Sequence, residues 1–389
     1  MTEVTSIVTN KKGGQWYTLF LVLLPVILMY RTPGLSVGLS TALVAITMPY
    51  AITIIFNRSN KIAISLLWPL FIYLIYAIFK GTSSSILLCI AIGVHLSAIS
   101  TGIINTHYLR QCIENVSIFA ALCVTLQQLV HATTGVHIPM IYPGGLIDGL
   151  KDYSVNILTG IPMGGETMYR PCAFFLEPSH MSQYCIIGLG SSLFRMKPAI
   201  KNAIVISIGL IMTTSGMGVV LTFGMWAWWI MNKNNLNGNG RGKKNSFFLL
   251  IGLVLLVVVL YQIPFFQSVV SRFTSNPDDD YNAITGRTLW WDVYFGEGQL
   301  SNFVYGMGLS DMPEEYFTGI MTQLYAYGII GTFFFLLYIV ILIIRTKGLP
   351  RTFTTIYLAL LFLANLTGFI SIIFNFGVIL SLYSSKQNV

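Results

Sequence analysis

The sequence predicts an all-α fold: a polytopic membrane bundle of about twelve transmembrane helices with a large, partly helical outer loop. Three observations predict it. Hydrophobic residues make up 54% of the 389, charged residues only 9%, and mean hydropathy is +0.72, whereas a soluble domain carries about 25% charged residues. Apolar runs of membrane length recur along the chain, separated by short polar stretches. Basic residues alternate from side to side of those runs, which is how membrane topology is fixed. The 25 Phe, 20 Tyr and 7 Trp suit lipid contact and interfacial belts. A net charge of +8 invites a nucleic-acid reading, but here the positive charge lies in short runs between apolar segments and no nucleic-acid partner is expected.

A spanning helix needs roughly 20 apolar residues, which gives candidate spans at 16–30, 36–56, 62–79, 84–104, 113–134, 172–194, 203–214, 217–231, 246–266, 317–344, 353–369 and 371–384. The first follows Lys11 and Lys12 and ends in Met29-Tyr30-Arg31-Thr32-Pro33 with no small-residue cleavage site, so it is expected to stay as a signal anchor. Residues 203–231 could form one helix of ~44 Å at 1.5 Å per residue. Basic flanks decide against that: Arg195, Lys197 and Lys201 precede it, and Lys233, Arg241, Lys243 and Lys244 follow it. Both flanks prefer the cytoplasm, so the chain must go out and return, turning at Thr213-Thr214-Ser215-Gly216-Met217-Gly218. Short arms of this kind are tolerated where protein or water meets the backbone. Arg351 and Lys386 split 353–384 by the same logic, with its break near Thr367-Gly368.

With the amino terminus inside, sixteen of the 22 basic residues fall on the inner side and Arg31, Lys80, Lys151, Arg170, Arg272 and Arg287 on the outer. Of the 14 acids, only Glu3 and Glu114 are not on or near the outer side. The 1–389 chain then reads as a single integral-membrane domain with two long outer loops, 135–171 and 267–316. Neither a Walker motif nor a dinucleotide fingerprint is present. No internal repeat is visible, and the five cysteines show no metal spacing. No metal and no cofactor are expected.

Four constellations could carry chemistry. Where the first outer loop re-enters the membrane, Tyr169-Arg170-Pro171-Cys172-Ala173-Phe174-Phe175-Leu176-Glu177-Pro178-Ser179-His180 places charge beside apolar residues. On a continuous helix Arg170, Glu177 and Tyr184 share a face with His180 close by, Glu177 ~10 Å and His180 ~15 Å below Arg170. Pro178 removes a backbone donor and frees the Phe174 carbonyl. Ionisable groups at that depth are costly, so they either face a wet cavity or pair to pin the helix.

The second constellation is Thr285-Gly286-Arg287-Thr288-Leu289-Trp290-Trp291-Asp292, a helix start capped by Thr285 with Arg287, Trp291 and Tyr294 on one side. Guanidinium forks fit phosphate oxygens and aromatic rings stack on sugars; a tryptophan belt with a snorkelling arginine is the plainer account. Third, Asp278-Asp279-Asp280 has Asp-x-Asp spacing but reads as a solvated turn after Asn276-Pro277. Fourth, Glu314 and Glu315 precede a spanning helix, where they favour its dipole or could act on an acceptor hydroxyl. His95, His107, His131 and His137 are scattered and expected to be structural or interfacial.

Taken together, the chain resembles the O-antigen polymerase (Wzy-type) family, within the superfamily shared with O-antigen ligases. The architecture is similar from end to end. Arg170 with Phe174-Phe175-Leu176-Glu177-Pro178 resembles the arginine-led segment entering a core helix. Gly286-Arg287-Thr288-Leu289-Trp290 is similar to the arginine-aromatic start of the large periplasmic loop. Tyr305-Gly306-Met307-Gly308 and Leu324-Tyr325-Ala326-Tyr327-Gly328-Ile329-Ile330-Gly331 resemble its glycine-marked end and the helix after it. Two departures stand out. Glu314-Glu315-Tyr316-Phe317-Thr318-Gly319 occupies the place where the ligase branch carries a His-Asn pair, and the hairpin has Gly216-Met217 where an arginine often follows its serine.

The resemblance implies a multi-pass protein of the bacterial inner membrane, with both termini cytoplasmic. It implies a glycosyltransferase joining oligosaccharide repeat units carried on undecaprenyl diphosphate, with a lipid-linked donor and acceptor and a chain-length regulator protein as partners. On that reading Arg170 and Arg287 meet the diphosphate, with Arg272 assisting. Glu177 orients an arginine or takes a proton, and His180 is the second candidate base. Trp291, Tyr294, Glu315 and Tyr316 line the sugar path. A ligase moving finished glycan to lipid A core is the nearest alternative. A polysaccharide flippase or secondary transporter is the alternative of another class, though such proteins usually show repeat symmetry and short loops.

Overall fold

The computed structural model describes residues 14–31, 37–81, 83–136, 138, 148–149, 161–163, 166–175, 177–195, 197–237, 252, 255, 257–259, 261–262, 267, 300–308, 318–363 and 368–387. Among these, helix dominates. In chain order the helices are α1 (14–23), α2 (Leu39–Asn57), α3 (Ile64–Lys80), α4 (Ser83–Ser100), α5 (Thr106–Thr134), α6 (Pro178–Leu193), α7 (Ile200–Met212), α8 (Gly216–Asn237), α9 (Leu300–Tyr305), α10 (Gly319–Arg345), α11 (Leu349–Leu363) and α12 (Phe369–Gln387). Three of them, α2, α5 and α10, are long and apolar enough to cross a membrane, and α3, α4, α7, α11 and α12 contain shorter apolar helices. Phe119, Leu122, Leu126 and Leu129 are exposed at three- and four-residue spacing along α5, a stripe that water would penalise and lipid would not.

Each of the two split runs forms two helices, the expected break at Thr367 lying outside the described residues. The 203–231 run folds as α7 and α8 about Thr213-Thr214-Ser215, with Thr214 at φ +56°. The 353–384 run folds as α11 and α12. The first run departs from expectation: helix covers 14–23 and gives way to turns over 24–29, because Pro25 has no N–H to continue the ladder and its ring clashes with the preceding turn. Strand was not expected. Tyr30–Arg31 (β1) pairs antiparallel with Asp148–Gly149 (β2), and Ile161–Met163 (β3) pairs with Glu166–Met168 (β4) in the register Met163↔Glu166. Gly164-Gly165 stands between the latter two, the dipeptide that two-residue hairpins favour.

The chain divides into two compact units, one drawn from 1–28, 37–112 and 286–389 and the other from 29–36 and 113–285. In the first, α10 packs on α3, α9 and α11, while α12 packs on α4 and α11. Its core is aromatic: Phe376 lies 4.7 Å from Tyr338 and 4.8 Å from Tyr357, ring centre to ring centre. His95 is fully buried there, with Nε2 3.2 Å from the Val44 carbonyl and Nδ1 2.6 Å from the Tyr17 hydroxyl. A carbonyl only accepts, so Nε2 carries the proton and Nδ1 accepts from Tyr17. Both nitrogens are committed and the role is structural.

α10 contains a break. Gly328 has φ +61° and ψ −168°, a conformation essentially reserved for glycine. It sits against Gly306 at φ +75°, and the two strips of backbone bond: the Met307 N–H donates to the Tyr325 carbonyl at 2.8 Å and the Gly308 N–H to Ala326 at 3.0 Å. α3 fastens the same strip from the side, the Tyr76 hydroxyl donating to the Tyr305 carbonyl at 2.8 Å and the Lys80 ammonium to Gly306 at 3.1 Å. The two glycine motifs, whose bonded residues stand 18 apart in sequence, are thus the two halves of one clasp.

In the second unit, helices meet at small residues. A Cβ built on Gly188 of α6 would lie 2.2 Å from the Ser117 Oγ of α5, one on Gly209 of α7 2.3 Å from the Ala121 Cβ of α5, and one on Gly218 of α8 2.5 Å from the Ser182 Oγ of α6. Such contacts let backbones approach where apolar surroundings supply no hydrophobic drive.

Candidate functional site

The site is assembled at one end of the second unit, where the chain enters α6. The residue before a proline is pushed out of the helical region, and proline itself is welcome at the first helical position. Glu177 accordingly adopts φ −147° and ψ 132°, and α6 starts at Pro178. Residues 169–175 are not helical, and Ala173 takes φ +53°. The expected helical face shared by Arg170, Glu177 and Tyr184 is therefore not formed. Glu177 and His180 lie at the helix start, not about two and three turns into a helix begun at Arg170.

Four residues from elsewhere, Gln127, Ile138, His131 and Tyr30, shape the non-helical segment. Gln127 of α5 accepts from the Ala173 N–H at 2.9 Å and donates to the Ile138 carbonyl at 3.1 Å. The Tyr169 hydroxyl donates to that same carbonyl at 2.6 Å, and its ring lies 4.5 Å from His131. Burial, with the Cys172 thiol adding to it, pushes the Tyr169 phenol up to about 12, so it remains a neutral donor. Tyr30 donates to the Phe174 carbonyl at 2.5 Å; the carbonyl expected to be free of helical bonding is free, and a residue 144 positions away takes it up. Phe174 and Phe175 stack at 4.9 Å, and Phe175 meets Tyr184 at 5.3 Å.

The functional side chains follow from this frame. Arg170 is half-buried, immediately after the buried Tyr169. Cys172 is fully buried and lies within electrostatic range of both Glu177 and Arg170, which brings those two charges into one neighbourhood. The Glu177 carboxylate does not cap the helix. Its Oε1 accepts from the Ser179 hydroxyl, and its Oε2 is 3.6 Å from His180 Nε2. The hairpin turn packs on the same stretch of α6 through Gly218 and Ser182, whose hydroxyl donates to the Pro178 carbonyl at 2.8 Å. Gln128 of α5 donates to the Met212 carbonyl at 2.9 Å, just before that turn.

Neither a protein-family model nor a curated protein sequence matches the chain.

Arg170, Glu177 and His180 are brought into one region. Arg287, Arg272, Trp291, Tyr294, Glu315 and Tyr316 lie outside the described residues, as do Asp278-Asp279-Asp280 and Thr285. Sequence reasoning missed Gln127, Gln128, Tyr30 and Ser179. One signal was available: adjacent glutamines near the end of an apolar run are costly unless bonded. What the arrangement offers is a fixed positive charge near a carboxylate–imidazole pair, on backbone held by buried hydrogen bonds. That set can meet an anionic group and move a proton beside it.

Proposed function

We propose that this chain is a periplasmic-facing glycosyltransferase of the bacterial inner membrane that polymerises oligosaccharide repeat units carried on undecaprenyl diphosphate, in the manner of Wzy-type O-antigen polymerases. The observation that carries the reading is Arg170 leading a segment pinned by Gln127 and ending in the Glu177–His180 pair. The motif resemblance and the apolar, membrane-length helices support it. The twelve-span topology with both termini cytoplasmic belongs to the same proposal, as does pairing with a chain-length regulator protein.

In the proposed reaction an acceptor sugar hydroxyl attacks the anomeric carbon of the donor. The bond from that carbon to the diphosphate oxygen breaks, and its electron pair leaves with the lipid diphosphate. The hydroxyl proton passes to a protein base. Charge grows on the leaving oxygens, and a guanidinium aimed at them stabilises the transition state more than the ground state. Arg170 takes that role here, with Arg287, assigned on its motif, as the second arginine and Arg272 assisting. Trp291, Tyr294, Glu315 and Tyr316 are assigned to the sugar path on sequence grounds.

The test is a lipopolysaccharide gel from a polymerase-null strain complemented with variants, with membrane levels checked. Loss of one such donor costs on the order of 10²–10³ in rate, so Arg170→Ala and Arg287→Ala should each collapse the ladder to single-repeat chains. Wild-type ladders from both overturn the assignment. Arg287→Lys keeps charge and loses the planar fork; full rescue by it argues against bidentate binding. A null strain with no capped core at all, in place of single repeats, indicates a ligase.

A further inference from the structure

The sequence leaves the base unassigned among Glu177, His180 and the Glu314–Glu315 pair; the last two lie outside the described residues, and between the first two the geometry favours one. Both Glu177 oxygens have a neighbour: Oε1 accepts from the Ser179 hydroxyl, and Oε2 lies 3.6 Å from His180 Nε2, an ion-pair rather than a hydrogen-bond distance. An ionised carboxylate only accepts, so its field favours the tautomer with the proton on the nitrogen that faces it. His180 Nδ1 is then the nitrogen with the lone pair. It is buried and has no hydrogen-bond partner among the described residues. A buried acceptor left so is costly, and a hydroxyl donating to it removes that cost. The side chain as a whole keeps 17% of its surface, against 33% for Glu177.

We infer that His180 Nδ1 is the general base for the acceptor hydroxyl, and that Glu177 and Ser179 are positioning residues that hold the Nε2–H tautomer. The inference rests on the glycosyltransferase reading. The step balances simply. The acceptor O–H bond breaks with its proton passing to Nδ1, and the oxygen's electron pair forms the new bond to the anomeric carbon. The donor's carbon–oxygen bond breaks toward the diphosphate. The imidazolium beside Glu177 is stabilised by that carboxylate and gives its extra proton to water or to the departing diphosphate. Ser179 acts one step further back: its hydroxyl occupies Oε1, which leaves Oε2 as the oxygen turned to the imidazole. Glu177 itself, with one oxygen bonded to Ser179 and the other facing a cation-forming ring, is poorly placed to take the proton.

The test uses the full-length chain in vesicles of bacterial phospholipid, with undecaprenyl-diphosphate-linked repeat unit isolated from polymerase-null cells as donor and acceptor. A positioned base contributes typically 10²–10⁴-fold, so His180→Gln and His180→Asn should each lower kcat by about 10²-fold or more with KM within about threefold. Glu177→Gln should lower kcat by a similar order, because the amide offers Nε2–H no anionic partner. Ser179→Ala should lower it by about fivefold, the worth of one ordinary hydrogen bond, and Ser179→Thr should restore it. Unfolding temperature is measured for each variant, and the kcat–KM split with threonine rescue separates positioning from mere structure. Near-normal kcat in both His180 variants, alongside an inactive Arg170→Ala, overturns the base assignment and leaves the proposed function standing. Threonine failing to restore what alanine loses overturns the role of Ser179. A wild-type chain that forms no polymer overturns both readings.

Discussion

Replacing Gly328 by alanine tests the clasp between the two glycine motifs. Gly328 sits at φ +61° and ψ −168°, where a residue with a side chain pays about 1–3 kcal/mol. Its new Cβ would lie 2.4 Å from the Val304 carbonyl oxygen and 2.5 Å from the Gly306 nitrogen. Both are backbone atoms, and neither can swing away as a flexible side chain would. Overpacking of that kind adds about 1–3 kcal/mol, for a total of about 2–6 kcal/mol. At 1.4 kcal/mol per tenfold, the clasped state falls by a factor of roughly 30 to 10⁴. The assay is thermal unfolding of the detergent-purified chain, followed with a thiol-reactive fluorophore. Cys89, Cys172 and Cys185 are almost wholly buried and label only as the fold opens. Gly224 is the control, since a Cβ there meets nothing within 4 Å; Gly224→Ala should leave the transition unchanged or raise it slightly through better helix propensity. A Gly328→Ala chain that unfolds with the wild type would refute the clasp.

Three further outcomes are expected. Gln127→Leu leaves the buried Ala173 N–H without its acceptor, which costs about 1–3 kcal/mol, and should increase proteolytic cleavage within 169–177 in addition to shortening the sugar ladder; unchanged protease patterns would count against the clamp. Gly188→Ala forces a methyl to 2.2 Å from the Ser117 hydroxyl and should lower the unfolding temperature, with Ser117→Gly in the same chain recovering most of the loss; additive losses would show that the two do not touch. Glu114 is buried, accepts from Ser191 at 2.9 Å and faces Arg195 at 3.6 Å. Glu114→Ala should cost about 3 kcal/mol, the low end for a broken buried pair because Arg195 is a third exposed, read in the same unfolding assay; an unchanged transition would deny the pair a role.

Much of the helical layout was legible because its causes are local. Run length, basic flanks and glycine or proline punctuation located the α7–α8 turn and split the last run into α11 and α12, since each is a property of a few adjacent residues. The departures also have local causes. Pro178 removes one donor, but its stronger effect is on Glu177, which it drives into extended backbone, so the helix begins after the carboxylate. Pro25 similarly stops the first run early.

The candidate site divides along the same line. Arg170, Glu177 and His180 declared themselves in sequence, because ionisable groups beside apolar runs are expensive enough to need a reason. Their geometry did not, because it is set by partners 46 and 144 residues away, Gln127 on Ala173 and Tyr30 on Phe174. The sequence by itself determined most of the helices among the described residues, which side chains carry charge at the mouth of α6, and that two glycine motifs matter. Only the tertiary structure decided that those motifs clasp each other, and that Ser179 and His180 divide the two oxygens of Glu177. Hydrogen bonds between distant residues leave no periodic trace in a chain, and a carboxylate's partners are chosen by the backbone that surrounds it.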